Sequence, residues 1–298
     1  MRVLVTGRRG QLARSLAKRG ALVRGLALET MGRPDLDLER PESIAAAIAA
    51  AAPDVVVNAA AYTAVDQAEH EPERAFRING AAAGEVASAA RRAGARIVQV
   101  STDYVFDGTA GGAYDETAPT SPLGAYGRSK LDGELRVAEA NPDHVVFRTA
   151  WVYSAHGRNF VKTMLGAAIQ RDEIGVVADQ RGSPTASDDL ADGILALISA
   201  WRERPRLGLG RSYHLAGTGE ASWFDFATAI FEEAARHGLP TATVKPIRSA
   251  DWPTRVARPA NSVLDSSRFA AEFGYRAPHW RDSMAAVIAD LATLGGHG

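Results

Sequence analysis

Met1-Arg-Val-Leu-Val-Thr-Gly-Arg-Arg-Gly-Gln-Leu-Ala13 opens the chain. Its first half, Arg2 to Thr6, is a short apolar run that stops at a glycine, the pattern of a strand buried on both faces. Its second half begins a helix: between Gln11 and Arg19, Leu12, Leu16 and Ala17 recur on one side. Strand, glycine turn and helix thus follow one another without a break.

The same alternation continues outward. Leu22 to Leu28 is a second apolar run. Pro41 to Ala51 starts on proline and continues in Ala and Ile, a good helix beginning. Asp54-Val-Val-Val-Asn58 reads as the third strand, Pro72 to Ala93 as a long Ala-rich helix ending at Gly94, and Arg96 to Ser101 as the fourth strand. After a Gly/Pro/Thr-rich loop, Ala125 to Ala140 reads as a helix and His144 to Arg148 as a fifth strand. Such alternation with short connections predicts an α/β fold, a doubly wound parallel sheet of the Rossmann type. Past about Thr149 the regularity fades. Asn159–Gln170, Asp189–Trp201, Trp223–Arg236 and Ser283–Leu294 look helical, and Tyr213–Ala216 looks like a strand. Lys245 to Ser267, rich in Pro, Arg and Ser, suits a substrate-facing loop. Residues 1–150 are expected to form a nucleotide-binding domain, to which part of the later chain returns, and residues 151–298 mainly a smaller C-terminal substrate-binding lobe.

Composition narrows the function classes. The 298 residues are 46% hydrophobic and 23% charged, ordinary for a globular chain of this size. The formal net charge of −1 gives no bulk attraction to nucleic acid or an acidic membrane, so neither partner is expected. The absence of cysteine excludes a disulfide scaffold, a thiolate zinc site and a cysteine nucleophile. No apolar run is long enough to span a bilayer, and no basic stretch followed by an apolar signal core opens the chain, so a cytoplasmic enzyme is the expectation. His70, His144, His156, His214, His237, His279 and His297 are scattered without metal-ligand spacing, and no essential metal is expected.

Four motifs carry chemistry. In Thr6-Gly-Arg-Arg-Gly-Gln-Leu-Ala13 the glycines let backbone approach a pyrophosphate, and the helix start offers free N–H groups. An ordinary glycine turn is the plainer reading; the position at a first strand–helix junction favours a nucleotide. Asn58-Ala-Ala-Ala-Tyr-Thr63 ends the third strand with small residues that leave room for adenine or ribose, or serve tight packing equally well. Ser101-Thr-Asp-Tyr-Val-Phe106 follows the fourth strand, where ligands sit in open parallel sheets, so the Thr102 hydroxyl is placed for a substrate oxygen. Tyr126-Gly-Arg-Ser-Lys130 sets a phenol and an ammonium four apart, on one helix face. A nearby ammonium favours the phenolate and lowers the tyrosine pKa. Moving it by about three units takes roughly 4 kcal/mol, within reach of Lys130 together with an oxidised nicotinamide cation. The pair would then exchange a proton with a carbonyl or alcohol oxygen.

These motifs, in this order, resemble the extended short-chain dehydrogenase/reductase superfamily. Val57–Asp66, Ser101–Gly108, Ser121–Lys130, Arg148–Tyr153, Gly182–Thr185 and Arg258–Ser262 are similar, over nearly the whole chain, to the dTDP-4-dehydrorhamnose reductase family. The resemblance implies reduction of a dTDP-keto-deoxysugar by hydride transfer from NADPH or NADH. It implies Tyr126 as proton donor, Lys130 as the residue holding the nicotinamide ribose, and Thr102 as the hydroxyl bonding the reacting carbonyl. Asp103 and Trp151 match sugar-contacting positions. Gly10, Gln11 and Leu12 match the pyrophosphate turn, to which the glycine motif adds Gly7 as cofactor-binding, and Glu29, Asp37, Leu38, Ala61, Tyr62, Thr63 and Val100 match positions lining the dinucleotide. Some family members dimerise through magnesium held by a glutamate of the first helix; Ser15 stands there, so a monomer or weak homodimer is expected. A Glu29 carboxylate would favour NADH, whereas Arg8, Arg9 and Arg33 would attract the 2′-phosphate of NADPH, which is slightly favoured. Arg255 and Arg258 suit either a sugar diphosphate or a solvated loop, and Trp223 and Trp252 suit packing. The alternatives are a reductase or epimerase acting on another nucleotide-activated keto-deoxysugar and, from another class, a non-catalytic regulatory subunit.

Overall fold

The structure, a computed structural model, describes residues 1–252 and 254–295; His297 lies outside them. The first part of the chain alternates β1 (Arg2–Thr6), α1 (Gln11–Gly20), β2 (Ala27–Met31), α2 (Pro41–Ala51), β3 (Val55–Asn58), α3 (Val65–Ala68), α4 (Pro72–Phe76), α5 (Ala82–Arg92), β4 (Arg96–Thr102), α6 (Ala125–Ala140) and β5 (His144–Thr149). There follow β6 (Val152–Tyr153), α7 (Phe160–Ala168), β7 (Glu173–Val177), β8 (Arg181–Gly182), β9 (Thr185–Ala186), α8 (Ser187–Ala200), β10 (Arg211–His214), β11 (Ala221–Ser222), α9 (Trp223–Arg236), β12 (Thr243–Ile247), α10 (Ser267–Phe273) and α11 (Trp280–Gly295).

Six strands form one parallel sheet in the order β10-β5-β4-β3-β1-β2. The expected doubly wound sheet is thus observed, and its direction of winding reverses between β1 and β3. Alternate residues of each inner strand feed two separate cores, which is why these strands are apolar throughout. Val3 and Val5 pack with Leu16 of α1 and Leu190, Ile194 and Ile198 of α8, while Leu4 packs on the other face with Ile44 and Ile48 of α2 and Val86 of α5. A third core joins α7, α9 and α11 around Phe226, Ile230, Met284 and Ile288.

Three expectations need correction. The Leu22–Leu28 run is mostly a turn, with Leu22 exposed to solvent, and β2 runs from Ala27 to Met31. As an edge strand it lacks the continuous apolar character of its neighbours. The Pro72–Ala93 helix is interrupted by a π turn over Arg77–Ala81. There Gly80 faces Asp132, and Gly133 of α6 lies so close that a Cβ on it would overlap the Asn79 carbonyl oxygen. Finally, the stretch expected as a substrate-facing loop begins inside β12, which pairs in parallel with β7. Its described residues do not line the main cleft.

Candidate active site

Loops at the carboxyl ends of β1 to β5 enclose a cleft of about 1130 Å³, at the point where the winding reverses. That is where open parallel sheets bind ligands. At its floor the β1–α1 turn brings Gly7, Gly10, Gln11 and Leu12 to the wall. Gly7 has φ +96°, open to glycine at no steric cost. Gly10 is the N-cap of α1, no side chain caps that end, and no acidic residue lies in its first turn. Its N–H groups and positive dipole end therefore stay available to an anion. The Gln11 side chain is engaged elsewhere: it accepts from Ser154 at 2.8 Å and Asn159 at 3.0 Å, tying this turn to the chain after β6.

Asp37 and Leu38 of the β2–α2 loop, and Ala61, Tyr62 and Thr63 beyond β3, line the same cleft. Glu29 does not. It sits in the middle of β2, exposed, opposite Leu4, two positions before the strand ends at Met31. The strand runs three residues past the apolar run that ends at Leu28, so Glu29 lies within it and not on the rim as expected. Gly32 and Arg33 hold that place instead. Arg8 is bound to Asp35 at 2.9 Å, and Glu39 is held by Arg74 at 3.0 Å and Arg77 at 3.4 Å.

The segment beyond β3 is fixed by Asn79 of the π turn, a residue the sequence reading missed. Its carboxamide accepts from the Tyr62 N–H at 2.8 Å and donates to the Tyr62 carbonyl at 2.9 Å and to Ser129 Oγ at 3.0 Å. Ser129 Oγ in turn donates to the Tyr126 carbonyl at 2.8 Å. π turns recur at functional sites, and the Asn-Gly pair inside an Ala-rich helix was the available signal.

The same cleft is lined by Val100, Thr102 and Asp103 from β4 and its end, Tyr126 and Lys130 from α6, and Trp151 after β5. Thr102 Oγ1 donates to Asp103 Oδ1 at 2.9 Å, while Asp103 Oδ2 and Thr149 Oγ1 are buried without a protein partner. Burial pushes the Asp103 carboxyl up to about 6, with the Ser262 and Thr102 hydroxyls opposing. The Tyr126 ring meets Tyr104 edge-on at 5.7 Å. Burial raises the Tyr126 pKa, with the Thr102 hydroxyl pulling it back, so the expected lowering is not a property of the protein alone. The Lys130 ammonium donates to the Val100 carbonyl at 2.6 Å, and burial brings its pKa down to about 8. The phenol is therefore neutral and ready to donate near pH 7, beside a lysine that is still largely charged.

Trp151 has φ +46°, a conformation costly for a bulky residue, of order 1–3 kcal/mol. It is held by Trp223, stacked at 3.4 Å and 4°, and by Gly182, where a Cβ would run into the indole. Trp223 thus packs and also lines the cleft, whereas Trp252 is exposed rather than packed. Arg258 is tied to Asp66 at 2.7 Å and lies 5.8 Å above the Tyr104 ring, and Arg255 contacts His70.

Ser15 is buried against Ser187 at 2.6 Å and Asp188 at 2.5 Å, and Lys18 lies 3.0 Å from Asp188 and 3.9 Å from Asp290. An ammonium thus sits between those two carboxylates. Among the described residues no group of three or more His, Asp or Glu is arranged to hold a metal ion, and no helix is long and apolar enough to cross a membrane.

Comparison with known proteins agrees with this geometry. The RmlD substrate binding domain family model matches residues 1–293. The chain is 46% identical to the dTDP-4-dehydrorhamnose reductase of Burkholderia thailandensis, covering 98% of this chain and 99% of the relative. It is 42% identical to that of Sinorhizobium fredii, covering 99% of each. The solved dTDP-4-dehydrorhamnose reductase of Bacillus anthracis, in complex with NADP, superposes with a TM-score of 0.88 at 34% identity, over 97% of this chain and 99% of that one. The chain belongs to the dTDP-4-dehydrorhamnose reductase family, and its cleft is that of a nicotinamide-dependent oxidoreductase.

Proposed function

We propose that this protein reduces dTDP-4-dehydro-L-rhamnose to dTDP-L-rhamnose, with Tyr126 as the proton donor. The observation that supports it is the meeting of Thr102, Tyr126 and Lys130 on one wall of a cleft whose floor is an uncapped helix start. A reduced nicotinamide, when bound, supplies the hydride. The Gly7–Leu12 turn binds its pyrophosphate through backbone N–H groups. The Tyr126 phenol and the Thr102 hydroxyl, its proton turned from Asp103 to the substrate, hold the C4 carbonyl oxygen, and Tyr126 gives that oxygen its proton as charge develops there. Lys130, charged, holds the ribose and stabilises the phenolate that remains. Asp103 and Trp151 bind the sugar, with Trp223 behind the indole. Residues 1–150 carry the dinucleotide and 151–298 mainly the sugar nucleotide.

Both cofactors work, with NADPH slightly preferred, because the end of β2 offers Gly32 and Arg33 rather than a carboxylate. The enzyme is cytoplasmic, a monomer or weak homodimer, and needs no metal. The test follows NADPH absorbance with dTDP-4-dehydro-L-rhamnose made in situ from dTDP-glucose. Rapid oxidation yielding dTDP-L-rhamnose is the expected result; NADPH binding without oxidation would move the substrate to another keto-sugar nucleotide. Tyr126→Phe should bind both ligands and lose most turnover, and retained turnover would remove Tyr126 as the acid. Strict dependence on NADH would overturn the cofactor preference.

A further inference from the structure

We propose that Glu134 is a positioning residue for this reaction: through Ser101 and Arg148 it pins α6 to the sheet one turn beyond Lys130, and it supplies the counter-charge that keeps the Lys130 ammonium in place. The proposal rests on the reading of Tyr126 and Lys130 as the reacting pair.

Tyr126, Lys130 and Glu134 stand four apart on α6 and share one stripe of the helix. Three consecutive residues of β4 meet that stripe. The Val100 carbonyl accepts from Lys130, Ser101 Oγ donates to Glu134 Oε1 at 2.5 Å, and the Thr102 hydroxyl bears on the Tyr126 phenol. Arg148, the register partner of Ser101 on β5, closes the arrangement with Nη2 donating to Glu134 Oε2 at 2.7 Å and Nε to Oε1 at 3.1 Å. Lys130, Glu134, Ser101 and Arg148 are 4%, 5%, 3% and 7% exposed. The charges alternate along this buried row, and its far end rests on the Phe106 ring, 5.3 Å from Arg148.

A buried ion pair is a poor device for stability, since apolar residues of similar volume often do as well or better. This one has another effect. The acceptor of the Lys130 ammonium, the Val100 carbonyl, is uncharged, and Glu134 one turn on is the negative charge that opposes the ammonium's desolvation. Among the described residues, the other ionisable groups of this corner are Asp103 and Tyr104 after β4, Tyr126 on α6, Arg148 on β5 and, beyond Arg148, His214 on β10. Without the Glu134 carboxylate, Lys130 would lose its proton at lower pH and its hold on the cofactor ribose with it.

The test measures NADPH affinity by fluorescence titration from pH 6 to 10, beside kcat/KM for NADPH over the same range. Glu134→Gln is compared with wild type. Because it leaves Arg148 unpaired, Glu134→Gln/Arg148→Gln, which removes both charges and keeps amides in their places, is the second variant. Wild-type binding should weaken above about pH 8; in Glu134→Gln the weakening should begin at lower pH, and in the double variant, which also removes the like charge of Arg148, it should shift the same way but less far. An unchanged onset, with only the melting temperature moved, would reduce Glu134 to a structural role and overturn the proposal. A wild type that binds NADPH but reduces no dTDP-sugar would instead sink the proposed reaction and leave the binding result to decide Glu134.

Discussion

Replacing Gly133 by alanine should cost this enzyme both stability and turnover, whereas the same change at Gly166 should do neither. Both glycines lie inside helices, where Gly→Ala is normally worth about 1 kcal/mol in favour of alanine. At Gly166 of α7 a new Cβ meets nothing within 4 Å, so that gain should appear in full. At Gly133 the new Cβ would overlap the Asn79 carbonyl oxygen, with the Ala83 Cβ at 3.5 Å behind it. Ordinary non-bonded contacts lie near 3.5–4 Å, so α6 must withdraw from the π turn by roughly 1 Å. Overpacking of this kind costs about 1–3 kcal/mol, which outweighs the helix gain. The displaced helix carries Tyr126 and Lys130, the proposed reacting pair, and a 1 Å misplacement of such groups is worth on the order of 100-fold in rate. Thermal melting and NADPH-coupled turnover on both variants make the comparison. The expected pattern is a fall of several degrees with about 100-fold lower kcat for Gly133→Ala, against a rise of a few degrees with unchanged kcat for Gly166→Ala. A Gly133→Ala protein that melts higher and turns over normally would refute the account of how α6 is seated.

Asn79→Ala should leave the Tyr62 N–H and carbonyl without their partner, at a cost of about 2–4 kcal/mol, and raise KM for NADPH by loosening the segment beyond β3; urea unfolding and initial rates check both. Two buried groups should give opposing pH dependences. His214, held neutral by burial with its pKa near 4, binds its proton in the unfolded chain alone between about pH 6.5 and 4, so it removes roughly 2 kcal/mol of stability between pH 7 and 5. Asp103, raised to about 6, binds its proton first in the folded state and returns roughly 1 kcal/mol over that interval. His214→Gln should therefore flatten or reverse the acid-side loss seen in urea midpoints, and Asp103→Asn should steepen it; wild-type slopes in both would contradict this reading.

Much of this could be read directly from the chain because parallel inner strands announce themselves. Val3–Val5, Val55–Val57 and Val145–Phe147 are apolar throughout since both faces are covered. The edge strand β2 is half wet, so Leu22 and Val23, apolar but in a turn, drew its boundary away and took Glu29 onto the rim. The two-residue strands β6, β8, β9 and β11 are too short to carry a period. β7 does alternate, with Ile174 and Val176 buried, but its partner β12 lay in a segment whose prolines and arginines suggested a loop. That Thr102, Tyr126 and Lys130 line one cleft was legible because a strand-end threonine and a four-residue spacing on the helix after the fourth strand fix their places locally. Glu134, Arg148 and Asn79 were not, because each acquires its partners only through strand register or the π turn.

That π turn sets a rule about length. A helix holding one residue beyond α geometry can shed it without breaking, but each residue removed rotates everything on one side of the deletion by about 100° relative to the other. Losing Arg77, Ile78, Gly80 or Ala81 would leave a smoother helix and break the register in which Asn79 joins Tyr62 and Ser129. The number of residues from Tyr62 to Ala82 is thus a gauge for the distance between the segment beyond β3 and α6. A deletion there should be tolerated by the fold and refused by the chemistry.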